Sequence, residues 1–185
     1  MSEQPSDQVG WSRFIFHDGG RALSGRRGFV GDCVVRAICI IARLPYEEVY
    51  GEITRRGRVG SSPPKQHYSA RRGVDSKRAW FRDYMAGLGF EWHKVQSGTP
   101  ISSPIFASGR FVVDIRRHYT AIINGSIYDA YDCSLGGKRK VCGYWVWVDH
   151  KCSCEITEDR INREDNEVLT DAEIDCEILG RRGDP

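Results

Sequence analysis

Two residues in this chain have the types and surroundings to do acyl chemistry: Cys33 and His118. Cys33 stands at the head of Gly31-Asp32-Cys33-Val34-Val35-Arg36-Ala37-Ile38-Cys39-Ile40-Ile41-Ala42-Arg43, a run that reads as a helix apolar on most sides. Asp32 is a favoured N-cap type, so the thiol falls in the first turn, where the helix dipole and free amide groups favour a thiolate. The thiolate is the nucleophilic form of cysteine. The bland alternative is packing, because cysteine is among the most buried residue types. His118 opens a β-prone run that ends at Asn124-Gly125, the strongest short hairpin signal. With a two-residue turn, opposed positions sum to 249. His118 then faces Tyr131, and Asp129 is its diagonal neighbour on the same face. A three-residue turn would favour Asp132 instead. Either carboxylate can orient the imidazole and stabilise its charged form. The bland alternatives here are a satisfied or exposed histidine, and aspartates that cap the hairpin end.

Other cations and thiols have candidate roles near this pair. Arg36, one turn beyond Cys33, can act on the thiol or on a substrate carboxylate. A salt bridge to Asp32 or to an acidic residue on a neighbouring segment is the simpler expectation. Asp32 itself opposes a thiolate, although as an N-cap its charge is partly engaged with amides. The seven cysteines are an odd number in a chain without a secretion signal, so thiols are expected rather than disulfides. Cys152-Ser153-Cys154 is too closely spaced for the usual zinc half-site, and no second clustered pair follows. No metal and no cofactor is expected.

The elements that must position these residues divide the chain in two. Helical signals come first: the Cys33 helix, a second helix opened by Pro45, and a third capped by Asp75, carrying Trp80, Phe81, Tyr84, Met85 and Leu88 on one face and stopped by Gly89. Strand signals follow at Phe90–Val95, Arg110–Ile115, His118–Ile123, Ser126–Tyr131 and Gly143–Val148, where Trp145 and Trp147 fall on one face. A short strand or packed arm is expected within Trp11–Phe16, a glycine- and arginine-rich loop over 17–28, and a long polar loop over 57–74, with the arginine-rich stretch 54–73 a candidate lid or substrate-recognition surface and a solvated loop the simpler account. Helices followed by an antiparallel sheet make an α+β domain over residues 11–150. Residues 1–10 read as disordered, and residues 151–185 as an acidic tail or small appendage. A short helix or strand over 167–179 is the most that the tail suggests.

With 185 residues and 40% hydrophobic content, one domain with a real core is expected. No apolar run is long enough to span a membrane, and the N-terminus lacks a signal-peptide pattern, so a cytoplasmic location is expected. Charge is uneven. The last 35 residues hold five Lys/Arg against eleven Asp/Glu, and the rest hold 22 against 14. A basic body can attract nucleic acid, but the arginines are scattered among loops and no helix carries a clean basic stripe, which argues against it. Oligomeric state leaves no mark in the sequence.

Helix-borne Cys33, strand-borne His118 and an Asp on the next strand, in that order, resemble the papain-like cysteine hydrolases. Asp32-Cys33-Val34-Val35-Arg36-Ala37 and His118-Tyr-Thr-Ala-Ile-Ile resemble the corresponding segments of bacterial double-glycine leader peptidases. The similarity is closer to a group of phage and bacterial papain-like proteins. It is carried by Asp-Cys-Val-Val-Arg-Ala, Pro45-Tyr-Glu-Glu-Val-Tyr, Gly73-Val-Asp-Ser-Lys, Gly109-Arg-Phe-Val-Val, His118-Tyr-Thr-Ala-Ile-Ile-Asn-Gly-Ser-Ile-Tyr-Asp and Cys142-Gly-Tyr-Trp, spanning about residues 28–148. The resemblance implies a papain-like fold, and a location in a bacterium or a phage-infected cell. It implies hydrolysis of a peptide, isopeptide or other amide through a thioester, with Cys33 as nucleophile, His118 as base and Asp129 (second choice Asp132) orienting it. The implied partner is a protein or peptide substrate. Two positions differ from the family pattern. No Gln lies in Gly25–Gly31, where Arg26 and Arg27 stand instead, and Val34 replaces a Gly. Arg27 and Arg36 are therefore the candidates for an oxyanion or substrate contact. A cysteine acyltransferase is the close variant. A papain-like scaffold that binds or inhibits a partner without catalysis is the alternative from another class.

Overall fold

The computed structural model describes residues 13–28, 30–59, 70–71 and 73–148. The expectations for residues 1–10, for the start of the arm at Trp11, for Cys152 and Cys154 and for the tail lie outside the described residues.

The order is β1 (Phe14–Phe16), α1 (Cys33–Ala42), α2 (Tyr46–Val59), α3 (Ala79–Gly87), β2 (Phe90–Lys94), β3 (Arg110–Ile115), β4 (His118–Ile123), β5 (Ser126–Asp129) and β6 (Val141–Trp147), with a 3-10 turn at Pro104–Phe106. The described chain is α+β, with three helices and a six-stranded mixed sheet in the order β1-β5-β4-β3-β6-β2. Its mixed character comes from β1, which runs parallel to β5, whereas every other pairing is antiparallel. No helix among the described residues is long and apolar enough to cross a membrane.

Alternation along the central strands gives the sheet two buried faces. On β3, Val112 joins α1, α2 and α3 in one core, while Phe111, Val113 and Ile115 join a second core with Ile101, Phe106 and Ile127. Burial on both faces explains why β4 reads as an unbroken buried run. Helix α1 is the centre of the first core: Val34, Val35, Ile38 and Ile41 are fully buried. Burying one such side chain contributes on the order of 1.5–3 kcal/mol.

Several local expectations change in the structure. Asp32 stands at the N-cap position of α1 but makes no side-chain cap bond, because Arg21, Arg36 and Tyr46 take its carboxylate. Helix α3 begins at Ala79 rather than after Asp75, whose carboxylate accepts from the Lys77 amide and pairs with Arg78. Helix α2 runs to Val59, so the first residues of the loop expected from 57 are helical, and residues 60–69 lie outside the described ones. Gly89 does end α3 as expected, at φ 87° with its amide on the Ala86 carbonyl. Trp145 and Trp147 both pack on the helix side of the sheet, Trp145 fully inside.

Candidate active site

Cys33 is the first residue of α1, and His118 is the first residue of β4. Helix α1 packs across β4, which brings the two elements' starting ends together. Both residues line one open cleft of about 430 Å³, together with Ser76, Asp114, Arg117 and Tyr119. The Cys33 thiol is among the neighbours that favour the charged form of this imidazole. Cys33 is half-buried, in contrast to the buried Cys39 on the same helix, whose thiol burial pushes up to about 12. Cys39 therefore stays protonated and packed, the ordinary fate of a helix cysteine.

The hairpin places the carboxylate. Asn124 and Gly125 have φ values of 46° and 78°, the two left-handed positions of a tight two-residue turn. Ile123 pairs with Ser126, Ile122 with Ile127 and Ala121 with Tyr128, the register that sums to 249. His118 accordingly meets Tyr131, with ring centroids 5.0 Å apart. His118 Nε2 and Asp129 Oδ2 are 2.6 Å apart. Asp132 is elsewhere: its carboxylate accepts from the Ser134 amide at 2.9 Å. Parallel strand β1 holds β5 from its other side, and the His17 amide donates to the Asp129 carbonyl at 2.9 Å. The strand that bears the carboxylate is thus paired on both edges, and Asp129 itself on the β1 side.

Asp129 has a second set of partners. Its Oδ1 accepts from the Ala130 amide at 2.7 Å and lies 3.4 Å from Arg36 Nη1. Arg36 Nε is 3.2 Å from Asp32 Oδ1, and Asp32 Oδ2 lies 2.8 Å from Arg21 Nε and accepts from the Tyr46 hydroxyl at 2.5 Å. A chain of alternating charge, Arg21–Asp32–Arg36–Asp129–His118, therefore ends at the cleft. Arg36 is not among the cleft's lining residues; it bridges two carboxylates instead, so its expected substrate or oxyanion contact gives way to ion pairing. Arg27 lines a different cavity and has no place in the Cys33 cleft. Gly19 shapes the chain beside this network. It sits at φ 68° so close to the Arg36 backbone that a Cβ there would collide with it.

Electrostatics at His118 follow from these contacts. Burial opposes the charged imidazole. The hydrogen bond to Asp129, the nearby Cys133 and Cys33 thiols and the Asp129 charge outweigh that and hold the group up to about 12. The charged form of the imidazole is therefore favoured at this site. Also lining the cleft, the Asp114 carboxyl is raised by burial, and the Tyr119 hydroxyl, 3.3 Å from it, is raised by burial and by the Asp114 charge.

Cys133 carries no signal in the sequence that would single it out. It is buried, and its Sγ, a His118 ring nitrogen and an Asp129 oxygen all lie within 4.8 Å of one another. These are metal-ligand types, but the fit is poor. Donor atoms about 2.0–2.1 Å from a tetrahedral zinc stand roughly 3.3 Å apart, and the 2.6 Å between His118 Nε2 and Asp129 Oδ2 is a hydrogen-bond spacing. Asp114 and Tyr119 were also missed, although one signal pointed to them. A two-residue turn at Arg116-Arg117 pairs Ile115 with His118 and Asp114 with Tyr119, as observed. Comparison of the chain with known protein families, with curated proteins and with solved structures returns no match.

Proposed function

We propose that this protein is a cysteine hydrolase of papain-like type that cleaves a peptide, isopeptide or other amide bond. The observation that carries the reading is that Cys33 and His118 line one cleft while His118 bonds Asp129 at 2.6 Å. Cys33 Sγ attacks the carbonyl carbon, and His118 gives its proton to the departing amine. Water then attacks the thioester. His118 takes a proton from that water, and the acid product leaves as the Cys33 thiol is restored. Asp129 keeps the imidazole oriented and stabilises its charge. The first-turn amides of α1, which the Asp32 side chain does not cap, supply donors for the developing oxyanion. Asp114, Ser76 and Arg117 border the cleft and would contact the substrate.

One observation favours a second reading, a scaffold that binds a partner without catalysis. No side chain of residues 25–28 or 30–31 lines the Cys33 cleft, so the pattern's glutamine has no replacement there. Incubation with a library of peptide and isopeptide amides, read by mass spectrometry, separates the two. Cleavage abolished by Cys33→Ala and by His118→Ala supports the hydrolase. Absence of any thioester trapped on Cys33, together with retained binding by Cys33→Ala, supports the scaffold.

A further inference from the structure

A second cavity, of about 230 Å³, is walled by Arg21, Arg26, Arg27, Arg71, Tyr46 and Tyr50. Two of its four guanidiniums are already neutralised. Arg21 Nε stands 2.8 Å from Asp32, and Arg26 makes a fork on Glu47 through Nε at 2.6 Å and Nη2 at 2.8 Å. Arg27 and Arg71 have no carboxylate partner among the described residues. Among the described residues, the side chains walling the cavity therefore carry an excess of two positive charges. The backbone of its walls is tied down. Arg21 Nη2 donates to the Arg27 and Gly28 carbonyls at 3.0 and 2.8 Å, and the Gly31 amide donates to the Arg71 carbonyl at 2.8 Å. The Tyr46 and Tyr50 rings stack with centroids 5.7 Å apart, and the Arg26 guanidinium lies 3.6 Å over Tyr50.

We propose that this cavity binds a small dianion of the phosphomonoester class through the guanidiniums of Arg27 and Arg71. Charge selects the ligand: a phosphomonoester carries about −1.5 to −2 at neutral pH, matching the two uncompensated arginines. Geometry agrees, because guanidinium forks complement phosphate oxygens in pairs. Size agrees as well. The space falls below the range of about 300–1,000 Å³ typical of drug-sized pockets, which suits a compact anion rather than a large cofactor. Tyr46 donates to Asp32, so the cavity wall also touches the charged chain that ends at His118. The binding claim does not depend on the hydrolase reading.

The test is calorimetric titration of the full chain with glycerol 2-phosphate, and with acetate at matched ionic strength. Saturable one-to-one phosphate binding is expected, with no comparable acetate binding. Arg27→Ala and Arg71→Ala should each weaken it by about tenfold or more. Lys138→Ala, which removes an exposed cation outside the cavity, should leave it unchanged. Both arginines are exposed, so the variants should fold, and their melting temperatures check this. Absent binding, equal binding of acetate, or affinity unchanged in the Arg27→Ala/Arg71→Ala double variant would overturn the proposal.

Discussion

Arg36 holds two buried carboxylates at once, Asp32 at 3.2 Å and Asp129 at 3.4 Å. Removing it leaves both without that cation in a site closed to water. Breaking a buried pair from one side typically costs about 3–5 kcal/mol. Arg36→Ala should lose stability on that scale in urea unfolding. Arg36→Lys should fall between it and the wild type, since a point charge cannot serve both carboxylates as a planar fork does. A loss below about 0.5 kcal/mol, the scale of ordinary surface substitutions, would show that the chain of charges is ornamental. His118 makes a prediction of opposite chemistry. Its folded value, about 12, lies above the ordinary 6.5, so the native state binds the proton more tightly than the unfolded state. That stabilisation is complete below about pH 6.5 and declines as pH rises toward the folded value. The stability gap between wild type and His118→Gln should accordingly be widest near pH 6 and narrow steadily through pH 9. A gap that widens over that interval would contradict the assigned contacts.

At the scale of elements, α1 matters for two separate reasons. Its buried stripe anchors the helix to the sheet, and its first turn presents Cys33 to the cleft. Ile38 belongs only to the first role, being fully buried and away from the cleft lining. Ile38→Ala should cost about 2–5 kcal/mol, measured by denaturant unfolding, and a cost under 1 kcal/mol would mean the core collapses around the gap. The β4–β5 hairpin matters through its register. Asp129 reaches His118 only because the turn has two residues, and inserting one residue after Gly125 would shift the pairing and turn the carboxylate's alternation to the other face. This register was legible in the sequence because Asn-Gly favours two left-handed residues in succession. The parallel pairing of β1 with β5 was not legible. A three-residue strand carries too little pattern to name its partner or its direction.

Across the whole molecule, legibility followed the range of the interaction. The elements β3 and β4 matched their expected bounds because alternation and turn chemistry act over a few residues. The Asp32 cap failed because Arg21 and Tyr46, 11 positions before it and 14 after it, compete for the same oxygens. Arg36 could be read as facing either way until the fold brought Asp129, 93 residues later, against it. Cys133 gave no local signal at all, and only the packing of the second core places it beside His118. With Cys33 sharing a cleft with His118 and Cys133 buried beside it, the central claim is that Cys33 is the reactive thiol and that His118 makes it so. The most direct test is site-resolved alkylation with iodoacetamide, followed by mass spectrometry, in wild type, His118→Ala and Asp129→Asn. The account predicts that Cys33 is modified first, that its rate falls by about tenfold or more in His118→Ala, and that Asp129→Asn gives a smaller loss. Preferential modification of Cys133, or a Cys33 rate indifferent to His118, would contradict it.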